Sequence, residues 1–178
     1  MINDYITRKM LAIKESREFD PEENDIVLSF VSKIVYTEKS TIEEDMKKGI
    51  DSHIRLMYDA YASRKIKTPS MWNRYHSIML RYSSKDSTYV EYQKILDGTF
   101  AKICLYRWLD ENNKTNAWMV IDMDKLRLTN EILECSLKIR RFRDGGSFVT
   151  IKIEDIAKNG CIIDCNDVVR DYLLSKLE

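Results

Sequence analysis

Apolar positions along the chain change period several times, and each change marks an element. Ile2, Tyr5, Ile6, Met10 and Ile13 recur at helical spacing, which predicts an amphipathic helix over residues 2–16. Asp20, Pro21, Glu22 and Glu23 then form a helix start. They supply a side-chain cap, a proline where no N–H is needed, and acid beside the positive end of the dipole. Ile26, Val27, Phe30, Ile34 and Val35 give this second helix an apolar face to about Tyr36. Thr41 and Glu44 fit a capping box for a third, shorter helix. From Ser52 to Met57 the period shortens to two. Ile54, Leu56 and Tyr58 alternate with His53, Arg55 and Met57, which predicts a strand. Asp59 and Ala60 turn the chain into a second strand, about Tyr61 to Lys67. Thr68-Pro69-Ser70 ends it, because proline cannot donate to a ladder. A third strand is predicted over Tyr75 to Ser83.

Asp86 or Ser87 is the expected cap of a helix running through Leu96, which Gly98 stops at its C′ position. Strands at about Ala101 to Leu109 and Ala117 to Met123 flank a polar hairpin loop, Glu111 to Asn116. Met123 to Arg141 reads as largely helical, with apolar spacing that permits a break near Thr129. Asp144-Gly145-Gly146-Ser147 is a turn, and Phe148 to Ile153 alternates as a strand. A short helix over Glu154 to Lys158 and a terminal helix over Asp167 to Leu177 follow. Leading helices, a strand meander, a helix and returning strands imply one α+β domain over residues 1–178, a central mixed or antiparallel sheet flanked by helices.

Composition agrees with a folded, water-soluble chain. Its 178 residues suffice for one real core, with 44% hydrophobic and 33% charged residues. No apolar run approaches the roughly 20 residues of a membrane span, and no signal-peptide core is present, so a cytoplasmic location without membrane contact is expected. Cys104 and Cys161 sit in apolar runs and read as small buried hydrophobes, while Cys161 and Cys165 also lie close enough in sequence to meet as a ligand or redox pair. The 29 basic and 29 acidic residues cancel, yet they segregate. Arg64, Lys65, Lys67, Arg74, Arg81 and Lys85 span a stretch with no acid, and Lys138, Arg140, Arg141 and Arg143 form a second cluster. Such segregation builds either a basic groove for a polyanion or an ordinary solvated surface. A Met- and aromatic-rich surface is compatible with a dimer.

Asp45 to Asp51 carries the candidate chemistry. An acidic helix end, Gly49, and an aspartate at the mouth of a strand offer hard oxygen ligands beside a sharp turn, as a divalent cation requires. Asp51 is equally well placed as a plain loop residue. Arg81 reads as a phosphate contact or as the partner of Glu91 in a buried bridge. Glu91 and Lys94, three apart, fit a surface ion pair. Trp72, Tyr75, Trp108 and Trp118 suit base stacking or the core. His76 has no legible Ser, Cys or Asp partner, and no Walker-type glycine loop is present.

The order of these pieces resembles the PD-(D/E)XK nuclease fold, and more narrowly a set of phage- and prophage-encoded nuclease-like proteins without an assigned substrate. The resemblance runs from about Glu44 to Arg127. It rests on Asp-x-x-x-Gly-x-Asp ending at Asp51, the basic strand Ala62-Ser63-Arg64-Lys65-Ile66-Lys67, Ser77 to Arg81, the helix Glu91 to Gly98, Leu105-Tyr106, Trp118 to Asp122, and Leu126-Arg127. It implies a nuclease-like core over about 41–127, preceded by N-terminal helices and followed by a helix–strand–helix extension. It further implies phosphodiester hydrolysis with Mg²⁺ or Mn²⁺, the cation polarising phosphorus and activating water. Asp51 would be the metal ligand, Glu44 (or Glu43) an accessory acid that also meets the metal, and Lys65 the catalytic cation. Arg64, Lys67, Arg81 and Lys94 would contact nucleic acid, DNA ahead of RNA. Ser63 stands where the pattern asks for an acid or Gln. A non-enzymatic alternative follows from the same resemblance: a phage-encoded inhibitor of a bacterial defence complex, of the anti-CRISPR kind, acting in the host cytoplasm by binding protein or nucleic acid.

Overall fold

The computed structural model describes residues 20–31, 35–39, 52–56, 62–66, 70–83, 90–129, 132, 139–141 and 146–177. Two compact units divide the chain, Met1–Ser32 and Lys33–Glu178. In the first, helix α1 (Pro21–Val31) starts as its residues dictate: the Glu23 N–H donates to Asp20 Oδ1 at 3.2 Å, and Pro21 opens the first turn. Ile26 and Phe30, four apart, are its buried positions. The expected continuation to Tyr36 is not found. Val35 and Tyr36 belong instead to β1 (Val35–Lys39), since a β-branched and aromatic run suits a pleated surface once a partner strand is in reach. The predicted helices over 2–16 and from Thr41 lie outside the described residues.

The second unit is α+β, and its described strands lie in three sheets rather than one. β1 pairs antiparallel with β2 (Ser52–Leu56), from Val35 opposite Leu56 to Lys39 opposite Ser52. A four-stranded sheet has the order β3 (Ala62–Ile66), β5 (Ile103–Leu109), β6 (Thr115–Asp122), β9 (Ile162–Cys165). Its first pair is parallel and the others antiparallel. An antiparallel three-stranded sheet has the order β4 (Ser77–Ser83), β8 (Ser147–Lys152), β7 (Arg140–Arg141). Helices α2 (Ser70–Tyr75), α3 (Glu91–Leu96), α4 (Met123–Arg127), α5 (Ile153–Lys158) and α6 (Asp167–Leu177) connect and cover them.

Further elements depart from the sequence reading, and α3 begins after Val90 without a side-chain cap. β3 ends at Ile66, and Ser70 opens α2, so Tyr75 is helical and β4 begins two residues later than expected. Proline next to a first turn favours that outcome. The helix expected over Met123 to Arg141 is not continuous: α4 ends at Arg127, Ile132 is again helical, and Arg140–Arg141 is a strand, with residues 130–131 and 133–138 outside the described ones. Asp122 caps α4 by accepting the Lys125 N–H at 2.9 Å, and the Thr129 hydroxyl donates to the Leu126 carbonyl at 2.7 Å at the anticipated break. Ile162 to Cys165, read only as buried apolar sequence, is β9, with Cys165 opposite Met119. Cys104 and Cys161 are buried, as expected, and Cys165 is half-buried.

One buried cluster joins the two larger sheets. Cys104, Tyr106 and Trp108 of β5 and Met119 and Ile121 of β6 pack with Ile78 and Leu80 of β4 and Val149 and Ile151 of β8. Each fully buried side chain of this size contributes roughly 1.5–3 kcal/mol. Asp110 organises the β5–β6 hairpin, its Oδ1 accepting the N–H groups of Asn112 at 2.8 Å and Lys114 at 2.9 Å.

Helix α3 ends as its glycine requires. Gly98 has φ +69°, its N–H bonds the Ile95 carbonyl at 3.1 Å, and the Thr99 N–H bonds the Lys94 carbonyl at 2.9 Å. This is the Schellman pattern. A Cβ on Gly98 would run into the Arg127 guanidinium. Gly98→Ala should therefore lower stability by about 1–2 kcal/mol from backbone strain. The steric part should be relieved by Arg127→Ala, so chemical denaturation of the double variant should show a loss smaller than the sum of the two single losses.

Candidate nucleic-acid interface

Strand alternation gives the three-stranded sheet two unlike faces. Ile78, Leu80, Val149 and Ile151 point to the core and are buried. Met79, Arg81, Phe148, Thr150 and Lys152 occupy the other face. Registration aligns a row across all three strands: Arg81 stands opposite Phe148, and Phe148 opposite Arg140. Directly opposed residues share a face, so two guanidinium groups flank one half-buried phenyl ring. Lys152 lies further along β8, opposite Ser77. Arg81, Arg140 and Lys152 are exposed, and β4, β7 and β8 contain no Asp or Glu. Cations gathered on a sheet face without carboxylates between them produce a positive potential that a polyanion would neutralise.

The outer edge of β4 is closed from elsewhere in the unit. The Met79 N–H donates to Tyr106 Oη at 2.9 Å, and the Arg81 N–H donates to Glu91 Oε2 at 3.1 Å. Beyond the bulge that follows Arg81, the Ser83 and Ser147 hydroxyls meet at 2.5 Å. These bonds decide between the two readings of Arg81. Glu91 binds its backbone, and the side chain is exposed rather than buried in an ion pair. Lys94 is exposed on α3. Trp72 and Trp108 are core residues in edge-to-face contact at 5.1 Å, whereas Tyr75 is 50% exposed.

The other expected site residues are not assembled among the described residues. Asp51, Glu44 and Lys67 lie outside them. Arg64 and Lys65 are on β3, where Arg64 stands opposite Tyr106 and Lys65 opposite Arg107. Asp51 immediately precedes β2, whose partner is β1, while the partner of β3 is β5. The strand with Lys65 is thus not hydrogen-bonded to the strand beside Asp51, as a shared metal site would want. Lys65 is registered instead beside Arg107, itself only 1% exposed. No group of three or more His, Cys, Asp or Glu able to hold a metal occurs among the described residues. The ligands expected for Mg²⁺ or Mn²⁺, Asp51 and Glu44, are not among those residues.

A second constellation was not legible in the sequence. His76 connects α2 to β4 with φ +38°, a conformation rare outside glycine. Its ring stacks on Tyr172 of α6 at 3.9 Å with 6° between planes, and Trp72 meets His76 edge-on at 4.9 Å. Tyr172 Oη donates to Glu154 Oε1 at 2.5 Å, while Glu154 Oε2 is buried without a hydrogen-bond partner among the described residues. The His76 carbonyl accepts the Ile153 N–H at 3.0 Å, fixing α5 to the loop. Burial pulls the His76 pKa below its ordinary 6.5, against Glu154 and together with Lys176. For Glu154, burial acts upward but is outweighed by bonds from Tyr172 and its own backbone N–H and by Lys152 and His76, leaving the carboxyl below its ordinary 4.5. Burial and the Glu154 bond raise the Tyr172 pKa. The hydroxyl is therefore a held donor and the imidazole a neutral ring, an arrangement that clamps α2, α5 and α6 together. No sequence signal pairs these three positions, because the contacts are distant along the chain.

Comparisons with protein-family models, with curated proteins and with solved structures find no match.

The clamp has a pH signature. Both folded pKa values are depressed, so both groups lose stabilising power on acidification. His76 acts as the pH falls below 6.5, where the unfolded chain takes up the proton first, and Glu154 acts below 4.5. His76→Asn, which tolerates the left-handed backbone, should flatten the decline in urea stability between pH 7.5 and 5.5. Tyr172→Phe should cost about 1 kcal/mol at neutral pH and flatten the lower limb. Unchanged pH profiles in both variants would rule out the clamp.

Proposed function

We propose that this protein binds nucleic acid, and that it does so by the sugar-phosphate backbone through the outer face of the β4–β8–β7 sheet. The observation that carries the reading is that Arg81, Arg140 and Lys152 share one exposed face whose strands contain no carboxylate. Guanidinium groups suit the purpose, since each presents a planar fork that matches two phosphate oxygens and remains charged at any physiological pH. Lys94 on α3 follows Glu91, which binds the Arg81 backbone, and would extend the positive track beside the sheet. Arg141, registered opposite Ser147, belongs to the other face of the sheet and not to this row.

The narrower form of the proposal is a PD-(D/E)XK-type phosphodiesterase using Asp51, Glu44 and Lys65 with Mg²⁺ or Mn²⁺, as in phage-encoded nuclease-like proteins. It rests on the sequence resemblance alone. Ser63 in the acidic position and the separate pairing of β2 and β3 both favour binding without cleavage. A hydroxyl is a weak substitute for a carboxylate ligand, and a metal centre needs its acid and lysine on adjoining strands.

Titration of labelled single- and double-stranded DNA and RNA, with and without Mg²⁺ or Mn²⁺, tests both forms. Arg81→Ala and Arg140→Ala should each weaken binding by about 1–2 kcal/mol and lower the slope of log affinity against log salt by about 1. The polymers should remain intact. Absence of binding to every polymer would overturn the proposal. Cleavage abolished by both Asp51→Ala and Lys65→Ala would establish the enzyme in place of the binder.

A further inference from the structure

Resting on that reading, we infer that the ligand is single-stranded, with one unpaired base lying on the Phe148 ring between Arg81 and Arg140. The inference turns on what separates the two guanidinium groups. Registration puts Phe148, an apolar ring, directly between them on the solvent side of the sheet, two strand spacings or about 10 Å from one arginine position to the other. A backbone clamp alone has no use for a half-buried phenyl ring at its centre. An unpaired base does, because it exposes a π-face to stack on, and every base has one. The flanking arginines are then placed to take the phosphates on either side and to lie against the base edges as flat cations.

The shape of the surface points the same way. A duplex is read by a narrow element, an α-helix or a two-stranded ribbon, that enters the major groove. The cationic row here lies across three strands of a sheet and does not sit on a protruding element. Such a face can meet splayed nucleotides over its whole width. The remaining positions on it, Met79, Thr150 and Ser77, are uncharged and half-buried, so they add apolar and hydroxyl contact without repelling a phosphate. Glu91 is engaged at the strand edge, where its Oε2 accepts the Arg81 backbone N–H, and β4, β7 and β8 themselves contain no Asp or Glu.

The test uses the full chain and a 12-nucleotide strand carrying 2-aminopurine, compared with its duplex and with an abasic strand of equal length. The protein should favour the base-bearing single strand over both, and 2-aminopurine fluorescence should be quenched on binding. Phe148→Leu, which keeps an apolar group in place, should lower single-strand affinity about 5- to 150-fold and abolish the quenching. Phe148→Tyr should retain both and so exclude misfolding as the cause. Arg81→Ala and Arg140→Ala should weaken all three ligands. If Phe148→Leu leaves affinity and quenching unchanged while the arginine variants still weaken binding, base stacking is wrong and the backbone reading survives. A preference for the duplex in the wild type overturns the inference in the same way. Arginine variants that bind all three ligands like the wild type overturn the underlying reading itself.

Discussion

Strand β4 lies at the edge of its sheet, and the fold depends on how that edge is closed. An N–H group left bare beside a packed interior costs roughly 1–3 kcal/mol, so an edge strand that covers a core must find acceptors outside its own ladder. Tyr106 and Glu91 provide them, one from the middle of the other sheet and one from the first turn of α3. The Tyr106 bond matters most. Its ring is part of the shared core, and its hydroxyl reaches the back of Met79, so the same residue supplies apolar burial and pins the position of β4. Once β4 is held there, Ile78 and Leu80 must face inward. Strand alternation then turns Met79 and Arg81 outward, and β8 and β7 place Phe148 and Arg140 beside them.

The positive face is therefore a by-product of core packing. Arg81 is a surface residue because Leu80 is a core residue, and the row it forms with Phe148 and Arg140 is set by two antiparallel registers. A slip of one residue in either register would send a guanidinium toward Val149 and Ile151, at the cost of an unpaired buried charge. The same constraint keeps the clamp of His76, Tyr172 and Glu154 at the start of β4, where the strand enters the sheet beside α5. A histidine held at positive φ between a stacked tyrosine and an edge-on tryptophan is a costly local conformation. The surrounding bonds over-determine it.

Much of this architecture is visible in the residues themselves. Asp20 and Pro21 mark the start of α1, Gly98 marks the end of α3, and alternating apolar positions mark β2, β3, β5, β6 and β8 close to their observed limits. These are local signals, in which a cap, a positive φ or a two-residue period is decided by neighbours within one turn or one strand. Short apolar runs carry less information. Ile162 to Cys165 is too brief for its period to separate strand from loop, and Val35-Tyr36 became a strand only because β2 lay alongside. The candidate site was half legible. Arg81 and the basic cluster around Arg140 stand out as charges without acidic neighbours, but nothing along the chain says that Phe148 lies between them. Nothing there joins His76 to Glu154 and Tyr172 either.

By itself, the order of residues settled where α1 starts and α3 stops and which segments alternate as β2, β3, β5, β6 and β8, because each of those choices is made over a few neighbouring positions. Strand partners were decided only in three dimensions. β3 lies beside β5 and not β2, and β4 beside β8, since pairing joins segments far apart along the chain and is chosen by which apolar faces can be buried together. That choice set Lys65 next to Arg107, away from the strand that follows Asp51. It also assembled, from three separate stretches of chain, the cationic face on which the functional reading rests.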